Sequence, residues 1–354
     1  MQKKETIDEL FPRWYDENSR VYEDLSKTVS VALDSLLRDS GIEFVSITAR
    51  LKEKASCVDK LKRKTYTSVS EMTDLAGLRV ITYLQSDVDR VGALLEKEFE
   101  VVANLSVDKD AALGVDRVGY RSKHFVCLLG KRRLGLKENK RFKSLKFEVQ
   151  VRTVLQHAWA EIEHDRNYKF GGVLPVELRR RLNLVAGMLE LADLEFEEIT
   201  RLIGQYQRSV ANKAGRGDLS EEINSLSVTE YLAKKKFFND KLVWREGRNK
   251  GVDARVVQEL TSFGVSSLAE LDELFTQDFV AATQGRGATT ANSLLRRAMF
   301  FADPERFFGP GQVRHFAGLV PNTYAILEER VGRAKALKLL RSAKMRRMPP
   351  AQLG

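Results

Sequence analysis

The chain has 354 residues, 43% hydrophobic and 31% charged, enough for two domains or one large core with an appendage and too apolar for a disordered chain. No apolar run approaches the ~18 residues a membrane span needs, the opening MQKKETIDEL lacks the apolar segment of a secretory signal, and Cys57 and Cys127 stand isolated. These observations set aside membrane, secreted and zinc- or disulfide-framework classes and lead to an expected cytoplasmic location, while the net charge of +10 favours polyanionic partners.

Residues from about Ile7 to Arg38 read as one helix or two, with Trp14, Val21, Leu25 and Val29 at helical spacing and Pro12 near the start, where it is tolerated. Strand character follows at Phe44–Ala49, Leu78–Leu84, Phe99–Val107, Phe125–Leu129 and Leu145–Val151, separated by helical stretches at Cys57–Lys64 and Asp87–Glu98. This alternation predicts an α+β fold with a mixed, helix-flanked sheet of about five strands. A long amphipathic helix is expected from about Pro175 to Val210, with Leu178, Leu182, Val185, Leu189, Ala192 and Phe196 on one stripe.

The polar, glycine-containing Lys213–Leu219 marks the best boundary. It divides the chain into a domain over 1–213, a linker over 214–223 and an all-helical regulatory or partner-binding domain over 224–354. Within the last, Val256–Leu260, Gly264-Val265 and Leu268–Leu274 resemble a small helical hairpin, and Arg286–Arg297 and Glu328–Arg341 read as further helices. Phe300, Phe301, Phe307 and Phe308 fit a core or an interface. Arg330–Gly354 carries eight Lys/Arg and no Asp or Glu, and Lys131–Lys146 is also basic; either is a solvated face or a contact for nucleic acid.

Four separated segments carry polar groups that a packed core does not require. The first is Arg50-x-Lys52-x3-Ser56-x3-Lys60, in which Ser56 and Lys60 share a helix face and can turn a hydroxyl and an ammonium toward one anion. Alone it also describes an exposed basic helix. The second is Asp74-x2-Gly77-x-Arg79, running into the apolar Val80-Ile81; Asp74 could equally end a turn. The third is Arg117-Val-Gly119-Tyr120-Arg121-Ser122-Lys123-His124, whose aromatic ring amid basic groups suits stacking on a base. The fourth is Phe147–Arg152, where Glu148, Gln150 and Arg152 alternate with Phe147, Val149 and Val151. Strand side chains alternate faces, so a carboxylate, an amide and a guanidinium project together, either as a site for a phosphorylated substrate and its metal or as the solvated face of an edge strand. After it, His157, Glu161 and His164 share one helical face, but the H-E-x-x-H order is absent.

In order, R-x-K-x3-S-x3-K, D-x2-G-x-R, GY-x-S-x-H and E-x-Q-x-R-T followed by HAWAEIEHD resemble the synthetase domain of the RelA/SpoT family of alarmone, or (p)ppGpp, synthetases, from about Val45 to Lys169. The resemblance implies a nucleotidyltransferase-like fold and transfer of a diphosphate from ATP to a ribose 3′-hydroxyl. It implies that Arg50 and Arg79 sandwich adenine, that Lys52, Ser56 and Lys60 hold the phosphates of ATP, and that Asp74 and Glu148 hold Mg²⁺. Tyr120, with Ser122 and His124 nearby, would take the acceptor guanosine nucleotide, and Gln150 and Arg152 would support the acceptor and its charge. Metal ligation outranks proton abstraction for Glu148, because a carboxylate on Mg²⁺ is a poor base. Too few residues precede these elements for the hydrolase domain of long family members, so synthesis without hydrolysis is expected.

Three functions remain in competition. One is a stand-alone small alarmone synthetase using ATP and GDP or GTP. Another is a toxic (CapRel-like) member that pyrophosphorylates the 3′-CCA end of tRNA, restrained by a C-terminal domain that takes a protein ligand. The third is a catalytically silent RNA- or protein-binding module, against which the presence of both Asp74 and Glu148 argues.

Overall fold

A single amphipathic helix, α1 (Ile7–Asp39), opens the first unit. Its Phe11, Tyr15, Tyr22, Leu25, Val29, Leu33 and Leu37 are buried at helical spacing, and Pro12 is accommodated inside it. The computed structural model describes residues 7–63, 66, 68–108, 122–170, 174–235, 251–286 and 289–348. The chain divides into two units, Met1–Thr200 and Arg201–Gly354. The division falls within a continuous helix, Val176–Gly215, ahead of the polar stretch on which the sequence places a linker.

The first unit is built on a mixed sheet. Strands β1 (Phe44–Leu51), β2 (Ala76–Thr82), β6 (Phe147–Thr153), β5 (Lys123–Leu128) and β3 (Glu100–Val101) lie in that lateral order. Only the β2–β6 pair is parallel; its neighbours pair antiparallel. A short β4 (Val107–Asp108) also pairs with β5, giving six strands. The expected single strand over Phe99–Val107 is thus two short pieces around a 3-10 turn at Ala103–Leu105, where the Val102 and Ala103 carbonyls accept from the local N–H groups of Leu105 and Ser106.

Helices α2 (Lys54–Arg63) and α3 (Gln85–Glu98) follow β1 and β2, α4 (Gly130–Leu134) follows β5, and α5 (Val154–Phe170) leaves β6. Val88, Val91 and Leu95 of α3 join the buried side chains of α1 against Leu78, Val80, Phe147, Val149 and Val151 of the central strands. Gly92 makes the approach of α3 possible, because a Cβ there would lie 2.9 Å from the ring of Phe125. With one sheet face covered this way, the alternation in β6 leaves Glu148, Gln150 and Arg152 on the other. The helix α6 (Val176–Gly215) anchors to the end of β6, where Thr153 Oγ1 donates to Asp193 at 2.7 Å.

The second unit is mainly helical. Its helices include α7 (Ser225–Lys234), α8 (Ala254–Ser262), α9 (Leu268–Glu273), α10 (Gln277–Thr283), α11 (Ala291–Ala302), α12 (Pro304–Phe308), α13 (Pro321–Val331) and α14 (Arg333–Ser342). Side chains of Asn224, Asp253, Ser267, Thr276, Thr290 and Asp303 cap the starts of α7 to α12. Capping corrects the expected Arg286–Arg297 helix, which begins only after Thr290. The expected Glu328–Arg341 helix is broken at Gly332, whose φ of 79° lies in the left-handed region. The expected all-helical character also needs correction: Gly318–Leu319 and Arg346–Arg347 form a parallel strand pair, and Glu222 bridges Ser267. Phe300, Phe301, Phe307 and Phe308 belong to its core.

Candidate functional site

Strand register assembles the site. Gly77 of β2 stands opposite Arg50 of β1 on one side and Glu148 of β6 on the other; Arg79 stands between Thr48 and Gln150; and Gln150 pairs with His124 of β5. Partners opposite each other share a face, so one polar row, Thr48–Arg79–Gln150–His124, crosses four strands and a second sets Arg50 and Glu148 on either side of Gly77. A hollow of about 130 Å³ is lined by Thr48, Arg50, Asp74, Gly77, Leu78, Arg79, Glu148 and Gln150. A second, of about 530 Å³, is bordered by Asp89, Glu96, Ser106, Lys123 and His124.

Asp74, immediately before β2, is clasped by two ammonium groups. Lys52 Nζ lies 2.6 Å and Lys60 Nζ 2.8 Å from Oδ2. Burial alone would push the Asp74 carboxyl up; the hydrogen bonds and charges of Lys52 and Lys60 outweigh it and hold the group below the usual aspartate range. Its Oδ1 is buried with no hydrogen-bond partner among the described residues. Ser56 is exposed on α2, one turn before Lys60.

Glu148 sits in a hydrogen-bonded chain. His124 Nδ1 and Gln150 Nε2 each lie 2.9 Å from Glu148 Oε1, Ser122 Oγ lies 2.7 Å from His124 Nε2, and Arg152 Nη2 donates to Gln150 Oε1 at 3.0 Å. Burial again raises the carboxyl, and the bonds from His124 and Gln150 together with the His124 charge bring it below the usual glutamate range. An ionised Glu148 only accepts, so Nδ1 of His124 carries a proton directed at it. Arg152 Nε is buried without a hydrogen-bond partner among the described residues. Burial first, and then the like charge of Arg79, lower the affinity of Arg152 for its proton.

A divalent cation fits this donor set. Asp74 and Glu148 line the same hollow, feel each other's charge, and offer hard oxygens, one of them a buried Oδ1 with nothing bound to it among the described residues. Arg50, Lys52, Lys60, Asp74, Arg79, Ser122, His124, Glu148, Gln150 and Arg152 are joined by this hollow and its hydrogen bonds, Ser56 stands exposed on α2, and Tyr120, Arg117, Gly119 and Arg121 lie outside the described residues.

Three contributors were given no part in this site by the sequence, Glu161 having been weighed only beside His157 and His164. Thr48 reaches the hollow because it alternates with Arg50 on β1, a signal present in the strand period. Glu161 accepts from Arg79 Nη1 at 2.9 Å, with His157 Nδ1 3.6 Å from the same oxygen. Tyr15 Oη donates to the Lys52 carbonyl at 2.7 Å, a contact between segments too distant in the chain for periodicity to reveal. Among the described residues no group of His, Cys, Asp and Glu forms a metal cluster of its own, and no helix is long and apolar enough to cross a membrane.

A sheet face carrying clustered cations, two carboxylates and a small hollow is built for handling phosphates and a hard cation. Residues 49–173 match the region found in RelA and SpoT proteins. The chain is 33% identical over 178 residues to the GTP pyrophosphokinase YjbM of Bacillus subtilis (strain 168), spanning 49% of this chain and 79% of that protein. It is 30% identical over 150 residues to the GTP pyrophosphokinase YwaC of the same organism, 41% of this chain and 68% of that one. Among solved structures it is similar to the small alarmone synthetase 1 from Bacillus subtilis, with 29% identity, 55% of this chain and 98% of that chain covered, and a TM-score of 0.47. The chain belongs to the RelA/SpoT family.

Proposed function

We propose that this protein is an ATP-dependent diphosphotransferase that makes alarmones, moving the β,γ-diphosphate of ATP onto the 3′-hydroxyl of GDP or GTP. The observation that carries the reading is the β1–β2–β6–β5 register, which sets Arg50, Arg79 and Asp74 around one hollow with Glu148 and Gln150, in a member of this family.

Phosphoryl transfer depends on in-line positioning and charge neutralisation more than on covalent chemistry. The bond from Pβ to the bridging oxygen of AMP breaks, a bond from the acceptor 3′-oxygen to Pβ forms, and the hydroxyl proton leaves. Arg50 and Arg79 present guanidinium faces to adenine, and Lys52, Ser56 and Lys60 hold the phosphates. Bound Mg²⁺, held by Asp74 and Glu148, would neutralise phosphate charge. Tyr120, Ser122 and His124 take the acceptor guanosine nucleotide. Gln150 fixes the rotamers of both its neighbours, and Arg152 offers its remaining donor to the developing charge. A Glu148 held below its normal range is a weak base, which favours a holding role over proton abstraction.

Purified full-length protein with ATP, Mg²⁺ and GDP or GTP should release AMP in step with a 3′-diphosphorylated product. No AMP and no product with GDP, GTP or GMP would remove the reading.

A second acceptor is motivated by Arg333–Arg347, which carries seven Lys/Arg and no acid: the 3′-CCA end of tRNA, with the second unit as a restraining domain that takes a protein ligand. Incubation with tRNA and γ-labelled ATP tests it, and unlabelled tRNA discards it.

A further inference from the structure

Acidic clusters that bind metal by themselves leave their carboxylates free of cations; Asp74 keeps Oδ1 unpartnered among the described residues, but its charge is already met at Oδ2. Both ammonium groups fall on the same oxygen, Oδ2, and come from separately braced places. The Lys52 backbone is fixed from two sides, its N–H donating to the Leu75 carbonyl at 2.9 Å and its carbonyl accepting from Tyr15. Lys60 projects from α2, whose Cys57 and Leu61 are buried. Lys52, Lys60, Arg50, Arg79 and Arg152 stand against Asp74, Glu148 and the Glu161 that holds Arg79, a balance of 5 − 3 = +2 around the hollow. A bare dication entering there meets net repulsion, and the carboxylate it needs is already neutralised.

A triphosphate reverses both conditions. Its oxygens accept charge-assisted hydrogen bonds from ammonium groups, its charge cancels the excess, and it brings hard oxygens that Mg²⁺ prefers. We infer that Lys52 and Lys60 act as a charge lock on Asp74: the free enzyme excludes a bare divalent cation, and the cation site forms only when a triphosphate draws the two ammonium groups off Oδ2. The inference rests on the donor site proposed above and adds an order to its assembly, nucleotide and metal together or nucleotide first, never metal first.

Mn²⁺ serves as the probe, followed by electron paramagnetic resonance and by retention on ultrafiltration. Free wild-type protein should hold no more Mn²⁺ than Asp74→Asn. Lys60→Met and Lys52→Met, each confirmed folded by its melting curve, should hold it at least tenfold more tightly than wild type without nucleotide. Wild type with an ATP analogue bridged by carbon between the α- and β-phosphates should retain Mn²⁺ beyond the analogue alone and beyond Asp74→Asn with analogue. Inorganic tripolyphosphate added to wild type should likewise create the site, a measurement that needs no variant. Free wild type binding Mn²⁺ as tightly as the lysine variants, or lysine variants binding no better than wild type, would overturn the lock. Wild type with analogue retaining no more Mn²⁺ than Asp74→Asn with analogue would instead overturn the proposed donor site.

Discussion

Glu148→Gln separates the chemistry of the site from its architecture. The substitution preserves length and shape: the amide oxygen still accepts from His124 Nδ1 and Gln150 Nε2, each 2.9 Å away in the structure. What disappears is the charge. Hydrogen bonds to a charged group contribute about 1.5–3 kcal/mol against about 1 for neutral ones, so two weakened bonds set the loss. Relief from burying a carboxylate that is only 13% exposed offsets part of it. The downward shift of Glu148 shows that the bonds outweigh burial, so the variant loses stability, by about 1 kcal/mol or ~2–4 °C for a unit of this size. Because the folded carboxyl lies below its usual value of 4.5, this stability is present at neutral pH and is lost as the pH falls below that value through the folded-state pKa. Wild type and variant should therefore melt alike in strong acid. Activity should suffer far more: loss of a charge that holds the transition-state ensemble costs roughly 10²–10³ in kcat. The assay pairs AMP release at saturating ATP and GTP with melting curves from neutral to acid pH. A kcat within threefold of wild type, alongside a melt lowered by several degrees, would refute the reasoning and make Glu148 a structural residue.

Glu161→Gln loosens Arg79, and because Glu161 is 57% exposed the pair contributes only about 0.5–1 kcal/mol; ATP binding should weaken two- to fivefold, with no further loss in an Arg79→Ala background, as measured by titration with a non-reacting ATP analogue. Gly77→Val should leave the melting temperature nearly unchanged, since a Cβ there meets Arg50 only at ordinary distances of 3.7 and 3.8 Å, yet its methyl groups enter the donor hollow and should weaken ATP binding at least tenfold. In the second unit, Glu259 is wholly buried and held by Arg296 Nε at 2.6 Å and Nη2 at 3.0 Å; Arg296→Ala strands that charge and should cost about 3–5 kcal/mol of the unit's stability, while Glu259→Gln with Arg296→Met restores most of it in denaturant titrations.

Strand period carried most of what the sequence revealed about the first unit. From Phe147 to Arg152 the polar and apolar residues of β6 alternate, so the face bearing Glu148, Gln150 and Arg152 was legible before any coordinates; the same period runs through β1, but the expected strand Phe44–Ala49 stops short of Arg50 and left Thr48 unmarked. What alternation cannot express is lateral order. That β2 lies parallel to β6, bringing Gly77 beside Glu148, depends on how the crossover folds back, and the partners of Arg79 and Lys52, Glu161 and Tyr15, are 82 and 37 positions away in the chain. Local rules also failed where ladder partners run out. The Phe99–Val107 stretch has strand composition, yet only its two ends find β5. In the second unit, caps decide helix limits more sharply than apolar spacing does: Thr290 and Gly332 overrule periods that continue past them.

Lateral order is also what makes the arrangement directional. On the proposed reading, in-line transfer needs the leaving nucleotide, the moving diphosphate and the acceptor oxygen along one line. Adjacent strands lie ~4.8 Å apart, so the step from β1 through β2 and β6 to β5 covers about 14 Å. The donor cations Arg50 and Lys52 belong to β1 and its end, whereas Ser122 and His124 belong to β5 and its approach, with Asp74 and Glu148 between them at the β2–β6 junction. Reversing any one pairing would scatter these groups. A parallel pair at the centre lets both carboxylates come from the same end of neighbouring strands; antiparallel β1 returns Arg50 and Lys52 to that end, while antiparallel β5 starts from the opposite end and sets His124 beside Gln150. The lysine lock follows from the same geometry: cations recruited to hold a triphosphate must lie against the carboxylate at its far edge, and in the free enzyme that carboxylate is the nearest anion they can find.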